Sequence, residues 1–431
     1  MSSKSKSSPT QDGGNSIATP TLRFPEFHGF EGWKATHLRK LARPVTERAT
    51  AKDADSVLSL SGEYGLVLQS DYFGKKIAGD STGRYLKIHR NDFVYNDRTT
   101  KASSFGTIKR LSKYPGGIVS PIYKCFCFHA DENPVFWEWY FESGSHDPAL
   151  GRLINEGARA GRFNISVTQF LSTEVWRPDK NEQKKIADCL DSVNALIAAQ
   201  GRKVEALRAH KKGLIQQLFP QEGETQPRLR FPEFEGKRSW KKRKLSQIVE
   251  VSSGQVDPTE SPYCDMPHIG GENIESDNVR LEPGKPALEL GLISGKYLFD
   301  GGHVLYSKIR PALNKVALPD FEGICSAEIY PIRPTSGKLS RLFLAYLLLS
   351  NTFLKYATRH SDRSKIPKVN RKSLLAYETG IPSLREQERI ADCLTSLDDL
   401  IAAETRKLDI LNTHKKGLMQ QLFPRLGEVD A

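Results

Sequence analysis

The eleven residues His210–Pro220, "HKKGLIQQLFP", return as His414–Pro424, "HKKGLMQQLFP", 204 positions later with one change, Ile215 against Met419. The copy runs backwards without a gap over Asn181–Pro220 and Arg385–Pro424, where 25 of the 40 positions are identical, "IADCL" at 186–190 and 390–394 among them. A second pair, "LRFPEF", opens at Leu22 and again at Leu229, with Trp33 and Trp240 at matching places behind it. The chain therefore reads A–B–C–A′–B′–C′, with A the LRFPEF entry and C the IADCL…QQLFP segment. A period of about 205 residues far exceeds the ~20–50 residues of a solenoid repeat. A domain and its spacer have been duplicated, so the fold has to place two of each.

The C segments carry helical periodicity. Apolar residues fall at Ile186, Leu190, Val193, Ile197, Val204, Leu207, Leu214 and Leu218, and at Ile390, Leu394, Leu397, Ile401, Leu408, Leu411, Leu418 and Leu422. Steps alternating between four and three are the 3.5-residue repeat of a coiled-coil seam. The seam is interrupted at the same two places in both copies, by Gln200 and Glu404 and by Lys211 and Lys415. Polar seam residues cost stability and select register and partner. Pro178 and Pro382 precede the segments and Pro220 and Pro424 follow them, which suits helix boundaries. A helix of ~35 residues would span roughly 50 Å at ~1.5 Å per residue. Two such helices pair most simply with each other, antiparallel. The alternative is two ordinary core helices, one per domain; the length and the matched interruptions favour the pair.

B and B′ share little sequence, and both read as α/β or α+β. "YLKIHRNDFVYN" (85–96) and "GGIVSPIYKCFCF" (116–128) alternate around turn residues in B, as do "HVLYSKI" (303–309) and "GICSAEIYPI" (323–332) in B′. "NPVFWEWYFES" (133–143) and "LSRLFLAYLLLSNTFLKYAT" (339–358) read as apolar helices, one in each half. The expected division is a disordered polar tail at 1–20, a first globular domain at 21–178, a first helical spacer at 179–222, a second globular domain at 223–384 and a second spacer at 385–431. The fold class is α/β (α+β), with two similar globular domains separated by two long antiparallel coiled-coil helices and an internal pseudo-two-fold duplication.

With 63 Lys and Arg against 51 Asp and Glu, the formal net charge is +12, which favours a polyanionic partner. No apolar run reaches the ~18 residues of a membrane span, and the first residues lack the apolar stretch of a signal peptide. Six cysteines without CxxC spacing suit reduced thiols in a cytoplasmic protein. "KRSWKKRK" (237–244) holds six cations in eight residues, and 355–372 holds seven against the one acid Asp362. Phosphates want such cations, and base edges want Arg, Lys, Asn or Gln. The candidate nucleic-acid contacts are Arg84, Lys109, Arg110, Arg159 and Arg162 in the first half. In the second they are Lys241, Lys242, Arg243, Lys308, Arg310, Asn314, Arg359, Arg363, Lys365, Lys368 and Arg371. For any one of them, a solvated charged face is the competing account.

Catalytic constellations are missing. "NPVF" (133–136) has Val135 where an adenine-methyltransferase motif has its second proline, and reads as a helix start at Asn133–Pro134. The sequence has no phosphate-binding G-x-x-x-x-G-K-[ST] loop, no H-E-x-x-H and no Cys/His cluster for zinc. A DNA-modifying methyltransferase or nuclease with an unrecognised site stays the alternative to a non-catalytic binding module, and a coiled-coil scaffold is the third reading. Divergence confined to the globular parts between near-identical connectors argues against the scaffold.

The whole order resembles the specificity subunit of a type I restriction–modification system. LRFPEF with its following Trp opens each half, "VLYSKIRPALNKVAL" (304–318) precedes "GICSAEIYPIRP" (323–334), and "IPSLREQERIADCL" (381–394) leads into "QQLFP". "RPDKNEQKKIADCL" (177–190) departs from that junction, with Arg177–Pro178–Asp179 as its lead. The resemblance implies two target-recognition domains, each reading half of a bipartite, asymmetric site on double-stranded DNA, with the helices as a ruler for the unread gap. It implies docking of two methylation subunits on the helical regions, and restriction subunits beyond them. It implies no cofactor on this chain, S-adenosylmethionine, ATP and Mg being used by the partners. The docking candidates it points to are His210, Lys211, Gln216, Gln217 and Phe219, and their counterparts His414, Lys415, Gln420, Gln421 and Phe423. For the two histidines, a solvated cation near a helix C-terminus is the competing account.

Overall fold

The computed structural model describes residues 17–53, 55–74, 82–100, 103–153, 164–335, 337–362 and 365–424; most of the expected tail, 1–16, lies outside them. The chain forms two compact units, one of residues 1–199 with 409–431 and one of residues 200–408. The two long helices, Lys180–Leu218 and Leu384–Leu422, are 39 residues each, and each contributes to both units.

In the first unit a four-stranded antiparallel sheet has the order Ala42–Pro44, Lys124–Phe128, Phe93–Asn96, Thr107–Arg110. Strand alternation buries both its faces. Phe93, Tyr95 and Phe126 enter an aromatic core with the helix Pro134–Glu142, while Val94 and Cys125 enter an aliphatic one with Leu58, Leu66, Ile88 and Val119. Asn133 caps that helix, its side chain accepting from the amides of Val135 and Phe136. The sequence reading of a helix start there holds.

The second unit repeats the plan with other residues. Its sheet has the order Val249–Val251, Ile329–Pro334, Val304–Ser307, Val316–Ala317, again antiparallel. Val304, Tyr306 and Ile332 face the larger core, and Leu305, Ala317 and Ile329 the smaller. In each unit a last strand returns to the first segment: Glu174–Arg177 pairs with Trp33–His37, and Glu378–Ile381 with Lys241–Lys244. The apolar run 339–358 is two helices, Arg341–Leu349 and Asn351–Arg359, rather than one. Ser350 breaks it because its extended backbone (φ −62°, ψ 147°) lets its hydroxyl accept from the amide of Phe353 and cap the second helix.

The repeated residues lock each unit in the same way. Arg23 makes two hydrogen bonds of 2.8 Å to Glu182; Arg230 makes two, of 2.7 and 2.8 Å, to Glu386. The neighbouring glutamine caps the apolar helix: Gln183 accepts from the amide of Asn133 and Gln387 from that of Ser340. The amide of Leu22 donates to the carbonyl of Gln421 and that of Leu229 to Gln217. Within each unit the start of one long helix lies against the end of the other, running in the opposite sense. Ile186 and Leu190 share a core with Leu422 and Phe423, and Ile390 and Leu394 share one with Leu218 and Phe219. Of the seam residues, Ile186, Leu190, Val204, Leu218, Ile390, Leu394 and Leu422 are buried; Leu196 and Ile410, off the seam, are 59% and 68% exposed.

Candidate nucleic-acid interface

The second unit brings two sequence-distant basic segments together. Ile309 bridges Lys368 in antiparallel fashion. The amide of Val369 donates to the carbonyl of Lys308, and that of Arg310 to Pro367. This short ladder brings the segment of Lys308 and Arg310 against that of Lys368 and Arg371 in one basic wall. Tyr330, which no sequence motif singles out, is its centre. The Lys308 ammonium lies 5.2 Å and the Arg371 guanidinium 5.9 Å from its ring. Burial, opposed by Arg371, pushes the Tyr330 hydroxyl up, so the ring stays a neutral phenol. Arg371 also donates to the carbonyls of Val251 and Ser252, which makes it an anchor of the wall. Arg310, Lys365 and Lys368 are exposed.

A second basic surface is the strand Lys241–Lys244. All four of its side chains are exposed, although it is paired along its length with Glu378–Ile381. Its fourth cation, Lys244, belongs with the three singled out in the sequence. Arg359 is exposed and ion-paired with Glu222 at 2.7 Å, and its hydrogen bonds hold that carboxyl below the usual carboxylate range. Both partners are more than 60% exposed, so the pair is weak and open to exchange.

Several candidates are corrected. Asn314 is buried in left-handed backbone, its amide spent on Asp277 and the carbonyl of Leu349; it shapes a turn. Lys109 and Arg110 lie on the strand under the helix Pro134–Glu142 and pair with Glu142 and Glu138. Arg110 also donates to Asn91. With side chains 16% and 12% exposed, both are committed to the fold of the first unit. Arg84 is exposed in the turn before the strand Leu86–His89. Arg159, Arg162 and Arg363 lie outside the described residues.

A family model for the type I restriction modification DNA specificity domain matches residues 237–413. The MjaVIII specificity subunit of Methanocaldococcus jannaschii, a type I restriction enzyme, is 26% identical over 93% of this chain and 95% of its own. The chain is similar to type I restriction–modification specificity subunits, through the family model in its second half and through sequence along most of its length. The EcoDI specificity subunit of Escherichia coli is 30% identical, but over 49% of this chain and 52% of its own length; the chain spans about half of that relative. A type I restriction–modification S subunit from M. genitalium shares the fold, with a TM-score of 0.54 and 14% identity over 95% of this chain and all of that one.

On the two long helices the docking candidates divide by exposure. His210, Gln216, Gln217, His414, Gln420 and Gln421 are exposed. Phe219 and Phe423 are corrected: each is buried in the core of its unit, Phe219 against Phe343 and Phe423 against Trp33, Phe136 and Tyr140. Lys211 is corrected as well. It is buried, donates to Asp398 at 2.6 Å and to the carbonyl of Asp277, and lies over the ring of Tyr346. Lys415 is half-buried between Asn194 and the ring of Trp139. Among the described residues no helix is long and apolar enough to cross a membrane.

Proposed function

We propose that this chain is the specificity subunit of a type I restriction–modification system and reads a bipartite, asymmetric site on double-stranded DNA, one half-site for each globular part. One observation carries the reading. The two parts share a strand order and the same Arg–Glu and Gln locks, yet differ in the residues they expose. A duplicated frame that presents two different surfaces suits two different half-sites. The Lys308–Arg310 and Lys365–Arg371 wall, the strand Lys241–Lys244, Arg359 and Arg84 supply the phosphate and base contacts in this reading.

The two long helices act as an antiparallel coiled coil related by a pseudo-two-fold, with the domains at 21–178 and 223–384 and the spacers at 179–222 and 385–431. Half-sites one helical turn apart lie about 34–36 Å from each other. Helices of tens of ångströms suit that separation. The exposed His210, Gln216, Gln217, His414, Gln420 and Gln421 dock two methylation subunits, and restriction subunits join that complex in the cytoplasm. The chain itself binds no cofactor; S-adenosylmethionine, ATP and Mg belong to the partners.

The test is methylome sequencing of DNA from cells that co-express this chain with its methylation subunit. The expected result is a gapped two-part motif methylated on adenine in both strands and absent without this chain. No motif beside a demonstrably active methylation subunit would overturn the reading.

A further inference from the structure

Five residues other than glycine have left-handed backbone among those described, and two of them, Arg310 (φ 46°) and Asn314 (φ 50°), bracket the single turn Pro311–Leu313. An L side chain is strained there, and Asn tolerates it better than Arg does. Asn314 has a structural reason: its amide is held by Asp277 and Leu349, and its carbonyl accepts from the amide of Asp277. Arg310 has none. Its guanidinium is exposed and takes part in no hydrogen bond, ion pair or ring contact among the described residues.

Its backbone, by contrast, is held from several sides. The amide of Arg310 bonds to Pro367, and its carbonyl accepts from the amide of Leu313. The buried Pro311 follows it. Strain that persists where the surroundings over-determine it marks a position with a use for its side chain. The neighbours bear on that use. Lys308 and Arg371 share the ring of Tyr330, and Lys368 stands across the ladder. These cations can hold a phosphate backbone. Arg310 stands beside them with its backbone held and its guanidinium without a partner among the described residues.

We infer that Arg310 is a specificity-determining residue of the second unit, reading the O6 and N7 edge of one guanine in its half-site. The inference rests on the DNA reading above. A bidentate Arg–guanine contact gives roughly tenfold to a hundredfold discrimination at one base pair, and a fork held on a rigid loop suits it.

The test compares the wild-type chain with Arg310→Asn and Arg310→Gly, each in complex with its methylation subunit. Both replacements accept left-handed backbone, so neither lowers the thermal midpoint. The readouts are the methylated motif and competition binding between duplexes altered at single positions. The expected result is a motif in which one G·C pair of one half-site becomes degenerate, while the other half-site is unchanged. A gapped motif that is identical for variants and wild type overturns the assignment of Arg310 alone. So does uniform weakening at every sequence, which would make Arg310 a phosphate contact. Absence of any gapped motif from the wild type would overturn the DNA reading, and this inference with it.

Discussion

Lys211 and Asp398 form a buried ion pair in the second unit, Nζ to Oδ1 2.6 Å, with side chains 5% and 6% exposed. Lys415 donates to Asn194 Oδ1 at 2.9 Å in the first. Lys415 is Lys211 carried forward by 204 positions, and Asn194 is Asp398 carried back by 204. The duplication thus kept the pairing and changed its chemistry. Tyr346 donates a further hydrogen bond to Asp398. Lys211→Met would leave that carboxylate buried without its cation, a loss of about 3–5 kcal/mol. Lys415→Met would leave a neutral amide and cost about 1–3 kcal/mol. Urea unfolding of the two variants measures the difference. Equal losses would show that the carboxylate is not what makes Lys211 indispensable. The double variant Lys211→Met, Asp398→Leu should recover most of the loss.

The Arg–Glu locks predict a second asymmetry. Glu386 accepts from Arg230 and also from Trp240 Nε1 at 3.1 Å. Glu182 accepts from Arg23, whereas Trp33 Nε1 is buried without a partner. Glu386→Ala strands two donors, and is expected to cost about 3–5 kcal/mol and to exceed the cost of Glu182→Ala. Paired urea titrations decide it. A larger loss at Glu182 would mean that the Trp240 hydrogen bond contributes nothing.

What repeats was legible in the sequence, and what is non-local was not. The seam, the matched polar interruptions and the proline boundaries all sit in contiguous periodic segments, and the long helices follow them. The roles of Arg23 and Gln183 were hidden, because each acts on a segment far along the chain. Lys109 and Arg110 looked like free cations because Glu142 and Glu138 come about thirty residues later. The break at Ser350 was written in "LLLSNTF", but the apolar run around it masked a single capping hydroxyl. The shared strand order of B and B′ has no linear signature, since different side chains fill equivalent places. Arg310 was visible only as one of many cations. Its left-handed backbone and its lack of a partner among the described residues set it apart.

His146 predicts an acid dependence. It is buried against Phe141 and Phe170, its Nε2 meets Thr173 Oγ1 at 2.8 Å, and its Nδ1 has no partner. The Thr173 hydroxyl donates to the carbonyl of Phe170, so its oxygen accepts from an Nε2–H and the ring is neutral. Burial pushes its pKa down from 6.5 to about 3. Between those values the unfolded chain binds a proton that the folded one does not. The stabilisation is therefore complete above pH 6.5 and is lost as pH falls toward 3, by about 1.4 kcal/mol per unit. Burial lowers His268 and His303 as well, in the same direction. His146→Gln should flatten the slope of stability between pH 6 and 4 by about one proton's worth. A slope equal to the wild type's would remove His146 from the account.

The strand Lys241–Lys244 separates phosphate contact from base reading. If its exposed cations lie on the DNA backbone, then Lys241→Ala, Lys242→Ala and Arg243→Ala together weaken binding at every sequence alike. The slope of log affinity on log salt falls by up to about 0.9 for each phosphate that is no longer neutralised. Titrations from low to physiological salt on cognate and scrambled duplexes check both points. A changed motif with an unchanged slope would reverse the assignment.

The helices carry the last prediction. The boundary between the units falls between Ala199 and Gln200 in one helix and between Leu408 and Asp409 in the other. Lys211–Asp398 lies in one unit and Asn194–Lys415 in the other. Seven residues inserted at both boundaries keep the 3.5-residue phase of the seam and add about 10.5 Å of helix. If the helices set the unread gap, the methylated motif keeps both half-sites and its gap grows by about three base pairs, at roughly 3.4 Å each. Insertion into one helix alone sets the seam out of register and should cost stability. Methylome sequencing of the double insertion reads the gap directly. A motif whose gap stays at its wild-type length would mean that something other than these helices spaces the two half-sites.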